Sequence, residues 1–374
     1  VTDLFFYGSL RYTPLLEIVL GREASEIDMI EAHLPDHAVH AVVDQAFPMI
    51  LHMSNVKAQG VLVRGLSDDD IARLVYYEGG FDYDLSQYSL MTETGDTAAG
   101  EVFFPAPGLW KAGEPWSLKG WIDKWGAMSL AAAQEVMCHY GKKSAEEIAE
   151  RFPSIRIRAA ARVAAQARAK DAEWDVHKDV VVHKHERPFL NFFAIDEMDL
   201  QFRQFDGSLS PVVNRSALLV GRAVVVLPYD PVRDTVLLIQ QFRAPAFIAG
   251  DPAPWVWEAV AGLVDPGETP EETAKRETIE EAHLELSGLE EAGQVYSSTG
   301  SSGEFCHLFV GLADISATVS GAGIDAEGED IRSQIISFDG LMAMVDAQQI
   351  KSLHLLAVAQ WLDRHRSRLR AAIC

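Results

Sequence analysis

Two regimes of apolar patterning run along the chain. Up to residue 142, short apolar runs (D-L-F-F-Y, G-V-L-V-R, A-G-E-V-F-F) alternate with Gly/Pro turns and predict strands. S-D-D-D-I-A-R-L-V-Y-Y-E predicts a short helix, and L-A-A-A-Q-E-V-M a second. From Ser144 to Lys170 the pattern becomes Ala-rich and basic, as in R-A-A-A-R-V-A-A-Q-A-R-A, and predicts a helical connector broken by Pro153 with its Arg residues on a solvated face. A β-rich regime starts near Val176. D-V-V-V-H-K-H-E-R and M-D-L-Q-F-R-Q-F-D-G-S-L predict strands with a D-G turn, and R-A-V-V-V-L-P-Y-D-P-V-R-D-T-V-L-L-I-Q-Q-F-R a hairpin. G-E-T-P-E-E-T-A-K-R-E-T-I-E-E-A predicts a helix, and a last helix runs from Leu353 to Leu369 with Arg364, Arg366, Arg368 and Arg370 favouring its C-terminal end. The expected division is 1–142, a connector at 143–175, and 176–374, in a mixed α+β fold.

Composition narrows the function. A chain of 374 residues that is 48% apolar and 23% charged can bury two cores. The net charge of −23 argues against a nucleic-acid or membrane partner. It leaves room for an anionic small ligand, because a bound cation can invert the local field. Cys138, Cys306 and Cys374 are widely spaced with no C-x-x-C, as expected in a reducing compartment. V-T-D-L-F-F-Y-G-S-L has no basic n-region, and no run of about 18 apolar residues exists, so a cytoplasmic protein is expected.

The acidic helix carries the clearest chemistry. Thr269 and Glu272 have capping-box spacing, with Pro270 at the first helical position. At about 100° per residue, Glu277, Glu280 and Glu281 share one stripe, leaving Ile279 and Ala282 to face a core. Like charges so placed repel. A hard cation such as Mg²⁺, which takes oxygen ligands, would relieve them. Arg276 is placed to pair with Glu268 and fix the loop before the helix.

An isolated E-x-x-E-E is most simply a solvated acidic face. Here Gly262, Glu268, Arg276, Glu277, Glu280 and Glu281 together resemble the Nudix hydrolase signature G-x5-E-x7-R-E-U-x-E-E-x-G-U. Thr278 replaces the apolar position, and His283 replaces a helix-end Gly where a left-handed non-Gly residue costs about 1 kcal/mol. Residues 177–365 resemble the ADP-ribose pyrophosphatase branch of that family through L-L-V-G-R-A-V-V-V-L-P-Y-D-P-V-R-D, Q-Q-F-R-A, P-W-V-W-E-A-V-A-G and E-G-E-D-I-R. The resemblance implies an α/β/α sandwich. It implies metal ligation by Glu277, Glu281, Glu329 and the Ala261 carbonyl, with Glu280 assisting. It makes Glu327 the general base and Arg243 a phosphate contact. Phe192, Phe193 and Arg215 would hold the nucleoside end across a homodimer interface, and Ser298, Gly300 and Glu304 would line the substrate loop. The implied reaction is Mg²⁺-dependent (alternatively Mn²⁺-dependent) hydrolysis of ADP-ribose to AMP and ribose 5-phosphate. Thr299, where such hydrolases usually carry Pro, keeps GDP-mannose or another nucleotide sugar open.

F-F-Y-G-S-L and the strand–helix unit ending at Glu78-Gly79-Gly80 together resemble the γ-glutamylcyclotransferase-like (AIG2-like) fold over residues 3–120, a small β-barrel with flanking helices. The resemblance implies a pocket at Tyr7, Gly8, Ser9 and Leu10 for a γ-glutamyl ligand, with Glu78 as general acid/base releasing 5-oxoproline. A non-catalytic ligand-binding module is the alternative. His183 and His185 are expected on a half-exposed strand, Cys306 in a core, and Trp255 and Trp257 packed under the hairpin.

Overall fold

A computed structural model describes residues 1–78, 83–106, 108–316, 320–322 and 330–372. The chain forms two compact units, Val1–Ala169 and Lys170–Cys374.

The first unit is built on β1 (Thr2–Phe6), β2 (Asp28–Val42), β3 (Pro48–Leu66), β4 (Tyr83–Thr92), β5 (Thr97–Pro105) and β6 (Ala112–Pro115). Pairing in the order β3-β1-β5-β4-β2, closed by β2 on β3, makes a five-stranded barrel with β6 added on β2. Closure removes the exposed strand edges. The helices are α1 (Thr13–Leu20), α2 (Asp68–Glu78), α3 (Leu118–Trp121), α4 (Ala127–Met137) and α5 (Ala145–Gln166). Alternation along β1 divides its side chains. Phe5 and Tyr7 join Leu34, Leu62 and Val102 inside the barrel, while Leu4 and Phe6 pack with Leu15, Leu16 and Val19 of α1.

The structure revises the expected connector. Its helix runs unbroken through Pro153 and belongs to the first unit. Ser144 caps it through a capping box with Glu147. Its Arg face is not wholly solvated: buried Arg158 donates from Nε and Nη2 to Glu135 Oε1 on α4 at 2.9 and 2.7 Å.

The second unit begins with α6 (Val176–Asp179) and the sheet β7 (Val180–Leu190), β8 (Ala194–Phe202) and β9 (Val213–Leu219). His183 and His185 lie on β7 and bond to Gln201 and Asp196, as side chains of an ordinary strand. A mixed sheet follows: β10 (Arg222–Asp230), β11 (Thr235–Phe242), β12 (Trp255–Glu258), β13 (Val260–Leu263), β14 (Gly288–Tyr296), β15 (Phe305–Leu312), β16 (Ser320–Ala322) and β17 (Ile331–Ser337). Around it lie α7 (Ala244–Ile248), α8 (Pro270–Ala282), α9 (Phe338–Asp346) and α10 (Leu353–Ala371).

The strand β10 is apolar almost throughout because it is covered on both faces. Val225, Leu227 and Tyr229 pack with α9 and α10, and Val224 and Val226 with α8. The β10–β11 hairpin pairs only at Tyr229↔Val236 and Asp230↔Thr235, then splays. Into the opening come β13, paired on β10 from Ala223↔Leu263 to Val226↔Val260, and β12, paired on β11. This splay puts Ala261 and Gly262 under α8. The basic end of α10 does more than face its own C-terminus: Arg366 and Arg370 pair with Asp234, and Arg368 with Glu290.

Candidate active site

The helix α8 starts where its capping residues dictate. Thr269 Oγ1 accepts from Glu272 N at 3.2 Å, Thr269 N donates to Glu272 Oε2 at 2.8 Å, and Pro270 opens the first turn. It ends at His283, which takes the left-handed conformation (φ 51°) that the signature's Gly would adopt freely.

Its buried side carries Thr273, Ala274, Thr278, Glu281 and Ala282. Ile279 corrects the sequence reading: it is 49% exposed rather than core-facing. At about 100° per residue it falls about 150° from the middle of that buried arc. The acids lean toward the sheet instead.

Glu281 is buried, and its Oε2 accepts the Ala261 N–H at 2.9 Å. Glu277 lies so close to Gly262 that a Cβ there would sit 1.9 Å from its Oε1. The signature Gly is therefore the space the carboxylate occupies. Arg276 ties the ridge together, donating from Nη1 to Glu277 Oε1 at 2.7 Å and Glu280 Oε2 at 3.0 Å, and from Nη2 to Glu268 Oε2 at 3.0 Å. Burial works to lower the Arg276 pKa, but its bonds to Glu268 and Glu277 outweigh it and raise it. The same contact holds the Glu268 carboxyl below its ordinary range. An all-oxygen donor set against a tight backbone strand fits a hard divalent cation.

Arg243 Nε donates to Glu258 Oε2 at 2.7 Å, a partner the sequence did not suggest. Phe192 and Phe193 meet at the β7–β8 tip with ring centroids 5.0 Å apart. Arg215 pairs opposite Met198, four residues along β8 from Ala194, about 13 Å away. Ser298 Oγ bonds Ser301 Oγ at 2.9 Å, and Gly300 has open space where a Cβ would lie. That loop is held to β9 by Leu218 N to Ser301 O at 2.9 Å and Gly303 N to Leu218 O at 2.9 Å, and Glu304 closes it. Glu327 and Glu329 lie outside the described residues. Trp257 packs on the core beneath the Arg332 guanidinium, whereas Trp255 is 62% exposed and rests against Phe242, contrary to the packed position expected for it.

The first unit holds a cavity of about 370 Å³. Tyr7, Gly8, Ser9, Leu10 and Glu78 all line it. At Gly8 a Cβ would come 3.1 Å from Pro48 Cγ, a tight contact. Burial pushes the Glu78 carboxyl up to about 7. Phe152, Pro153 and Arg156 of α5 complete the lining, and sequence reasoning missed them. The basic, amphipathic face of that helix was the available signal.

The split mixed sheet, the acid-bearing helix and the Arg276-centred ridge define a Nudix fold. A family model for the NUDIX domain matches residues 219–356, and a model for gamma-glutamyl cyclotransferase, AIG2-like, matches residues 4–122. An ADP-ribose pyrophosphatase of Escherichia coli is 34% identical over 192 residues, 51% of this chain and 91% of that protein. An ADP-ribose pyrophosphatase of Haemophilus influenzae is 30% identical, covering 52% and 90%. A GDP-mannose pyrophosphatase of Klebsiella pneumoniae is 28% identical, covering 46% and 86%. The chain belongs to the NUDIX family, through its second unit, and its first unit is an AIG2-like domain.

Proposed function

We propose that the second unit, a hydrolase of nucleotide-sugar diphosphates, acts on ADP-ribose with Mg²⁺ and yields AMP and ribose 5-phosphate. Carrying this reading is the seating of Glu277 and Glu281 on the Ala261–Gly262 backbone, with Arg276 paired to Glu277. Glu277, Glu281, Glu329 and the Ala261 carbonyl would hold the ion. When bound, it neutralises the diphosphate and lowers its resistance to an attacking oxygen.

The protein's own groups do the rest. Glu327 takes a proton from the attacking water as the new P–O bond forms. The P–O–P bridge breaks, and the bridging oxygen leaves on one product phosphate. Arg243 is released from Glu258 to meet a phosphate oxygen, a bidentate role that suits a guanidinium. Phe192 and Phe193 offer an apolar face to the nucleoside.

Substitution Glu281→Gln keeps the shape and removes the charge. It should lower turnover about 10²–10³-fold, the scale of losing one active-site electrostatic group. Hydrolysis of ADP-ribose and GDP-mannose with Mg²⁺, followed as AMP or GMP release, tests both metal role and substrate. Unchanged turnover in the variant refutes the ligand assignment, and a preference for GDP-mannose refutes the substrate.

A second reading concerns the first unit, and the cavity that joins Tyr7–Leu10 to Glu78 favours it. A γ-glutamyl compound would bind there. Its α-amine attacks the γ-carbonyl, the amide C–N bond breaks, and 5-oxoproline and a free amine leave. A carboxyl with a pKa of about 7 can take the proton from the attacking amine and return it to the leaving one. Arg156, on the same lining, would hold a substrate carboxylate. Chromatography for 5-oxoproline over a panel of γ-glutamyl amino acids is the test. Absence of product with retained thermal shifts, in both wild type and Glu78→Gln, indicates a binding module instead.

A further inference from the structure

The face of the sheet away from α8 carries a second cluster of ligand atoms. Side chains alternate along a strand, so Cys306, Leu308 and Val310 share one side of β15, and Glu304 immediately precedes the strand. That side packs on α10, where Cys306, Leu308 and Val310 join Leu355, Val358 and Leu362 in one core. The acidic helix contributes Ala274 and Ala282 to a different core, on the opposite face.

The helix α10 begins at Leu353, with Ser352 as its N-cap, so His354 sits in the first turn. Ligand atoms of Glu304, Cys306 and His354 all lie within 4.8 Å of one another. The His354 Nε2 is buried and has no hydrogen-bond partner. A buried ring nitrogen left unpaired is costly, and most such groups find a partner. The same imidazole presents a ring nitrogen to a carboxylate and a thiol.

We propose that Glu304, Cys306 and His354 form a binding site for a borderline-soft divalent cation of the Zn²⁺ class, separate from the acidic ridge. The donor types decide the class. Imidazole and thiolate favour Zn²⁺, Co²⁺ and their neighbours, whereas Mg²⁺ selects oxygen. Three protein donors leave a fourth tetrahedral position for water. Binding exchanges the thiol proton for the metal: the S–H bond breaks, the sulfur–metal bond forms, and H⁺ goes to solvent. Because Glu304 closes the loop carrying Ser298 and Gly300, the ion would pin that loop to the start of α10.

The test uses the full chain, stripped of metal with a chelator and titrated with Co²⁺. One equivalent should give the sulfur-to-cobalt charge-transfer absorption and the strong visible bands of tetrahedral Co²⁺. Zn²⁺ should displace it, and a large excess of Mg²⁺ should not. Cys306→Ser should abolish the charge-transfer band. His354→Gln, at a half-buried helix start and thus tolerant of change, should weaken Co²⁺ binding at least about tenfold. Glu281→Gln should leave the spectrum unchanged, which separates this site from the acidic ridge. Absence of the band in wild type, its persistence in Cys306→Ser, or wild-type affinity in a folded His354→Gln overturns the proposal.

Discussion

Gly262→Ala isolates the geometric claim at the centre of the site. Gly262 lies in a regular strand, paired with Val224, so an alanine backbone is unstrained there. The obstacle is Glu277. A new Cβ would stand 1.9 Å from its Oε1, 2.0 Å from its Cδ and 2.5 Å from its Oε2. Ordinary carbon contacts lie at about 3.5 Å or beyond, so the carboxylate must retreat by about 1.5 Å. Misplacing an active-site group by about 1 Å can cost about 10²-fold in rate, so turnover of ADP-ribose should fall by about that factor. Over-packing of this kind costs about 1–3 kcal/mol, so the protein should remain folded. AMP release at saturating Mg²⁺, with circular-dichroism melting as control, reads both effects. Glu277→Asp withdraws the carboxylate by one C–C bond, about 1.5 Å. The double variant should therefore be no worse than Glu277→Asp alone. Independent effects that multiply in the double variant, or wild-type turnover in Gly262→Ala, would refute the reasoning.

Three further predictions concern stability. The Glu78 carboxyl is raised from 4.5 to about 7 by burial, so the unfolded chain binds fewer protons between those values and stability falls as pH rises through that window. The cost is absent below pH 4.5, complete above pH 7, and at most about 3 kcal/mol. Glu78→Gln should therefore melt higher than wild type at pH 8 and alike in acid; the opposite ordering contradicts the burial argument. His283→Gly relieves a left-handed non-Gly residue and should add up to about 1 kcal/mol in urea titration. Glu135→Ala removes the carboxylate paired with buried Arg158 and should cost up to about 3–5 kcal/mol, seen as a lowered urea midpoint.

The barrel strands β1 and β5 and the end of β3, the β10–β11 hairpin and both ends of α8 were legible because each rests on local chemistry: alternation, a turn, a cap. The acidic ridge was legible through its spacing. Ile279 was misread because an apolar residue was assigned to the core by default, when the helix buries its acids against a strand that the sequence places elsewhere. Pro153 was misread as a break because packing on α4 compensates for a local propensity. Arg156 and Arg158 were invisible as pocket and core residues for the same reason: the other pocket-lining residues such as Glu78, and the Arg158 partner Glu135, come from other elements of the chain. The Arg243–Glu258 pair depends on β12 folding back along β11, a register no local pattern encodes.

Arg276 answers the question that the acidic stripe raises. Four carboxylates crowd one helix and its preceding loop, yet each has a counterweight in the folded chain. Arg276 takes Glu268, Glu277 and Glu280, while the Ala261 amide takes Glu281. The ridge is therefore tolerable without an ion. An incoming cation must win Glu277 from a guanidinium only 2.7 Å away, whereas Glu281 accepts the Ala261 amide at 2.9 Å. The two ligands differ accordingly. Glu281 is fixed by backbone and burial, and Glu277 is held by a charge that can be exchanged for another. A site built this way favours filling when the phosphates of a substrate arrive with the cation, because Arg276 retains Glu268 and Glu280 when it yields Glu277.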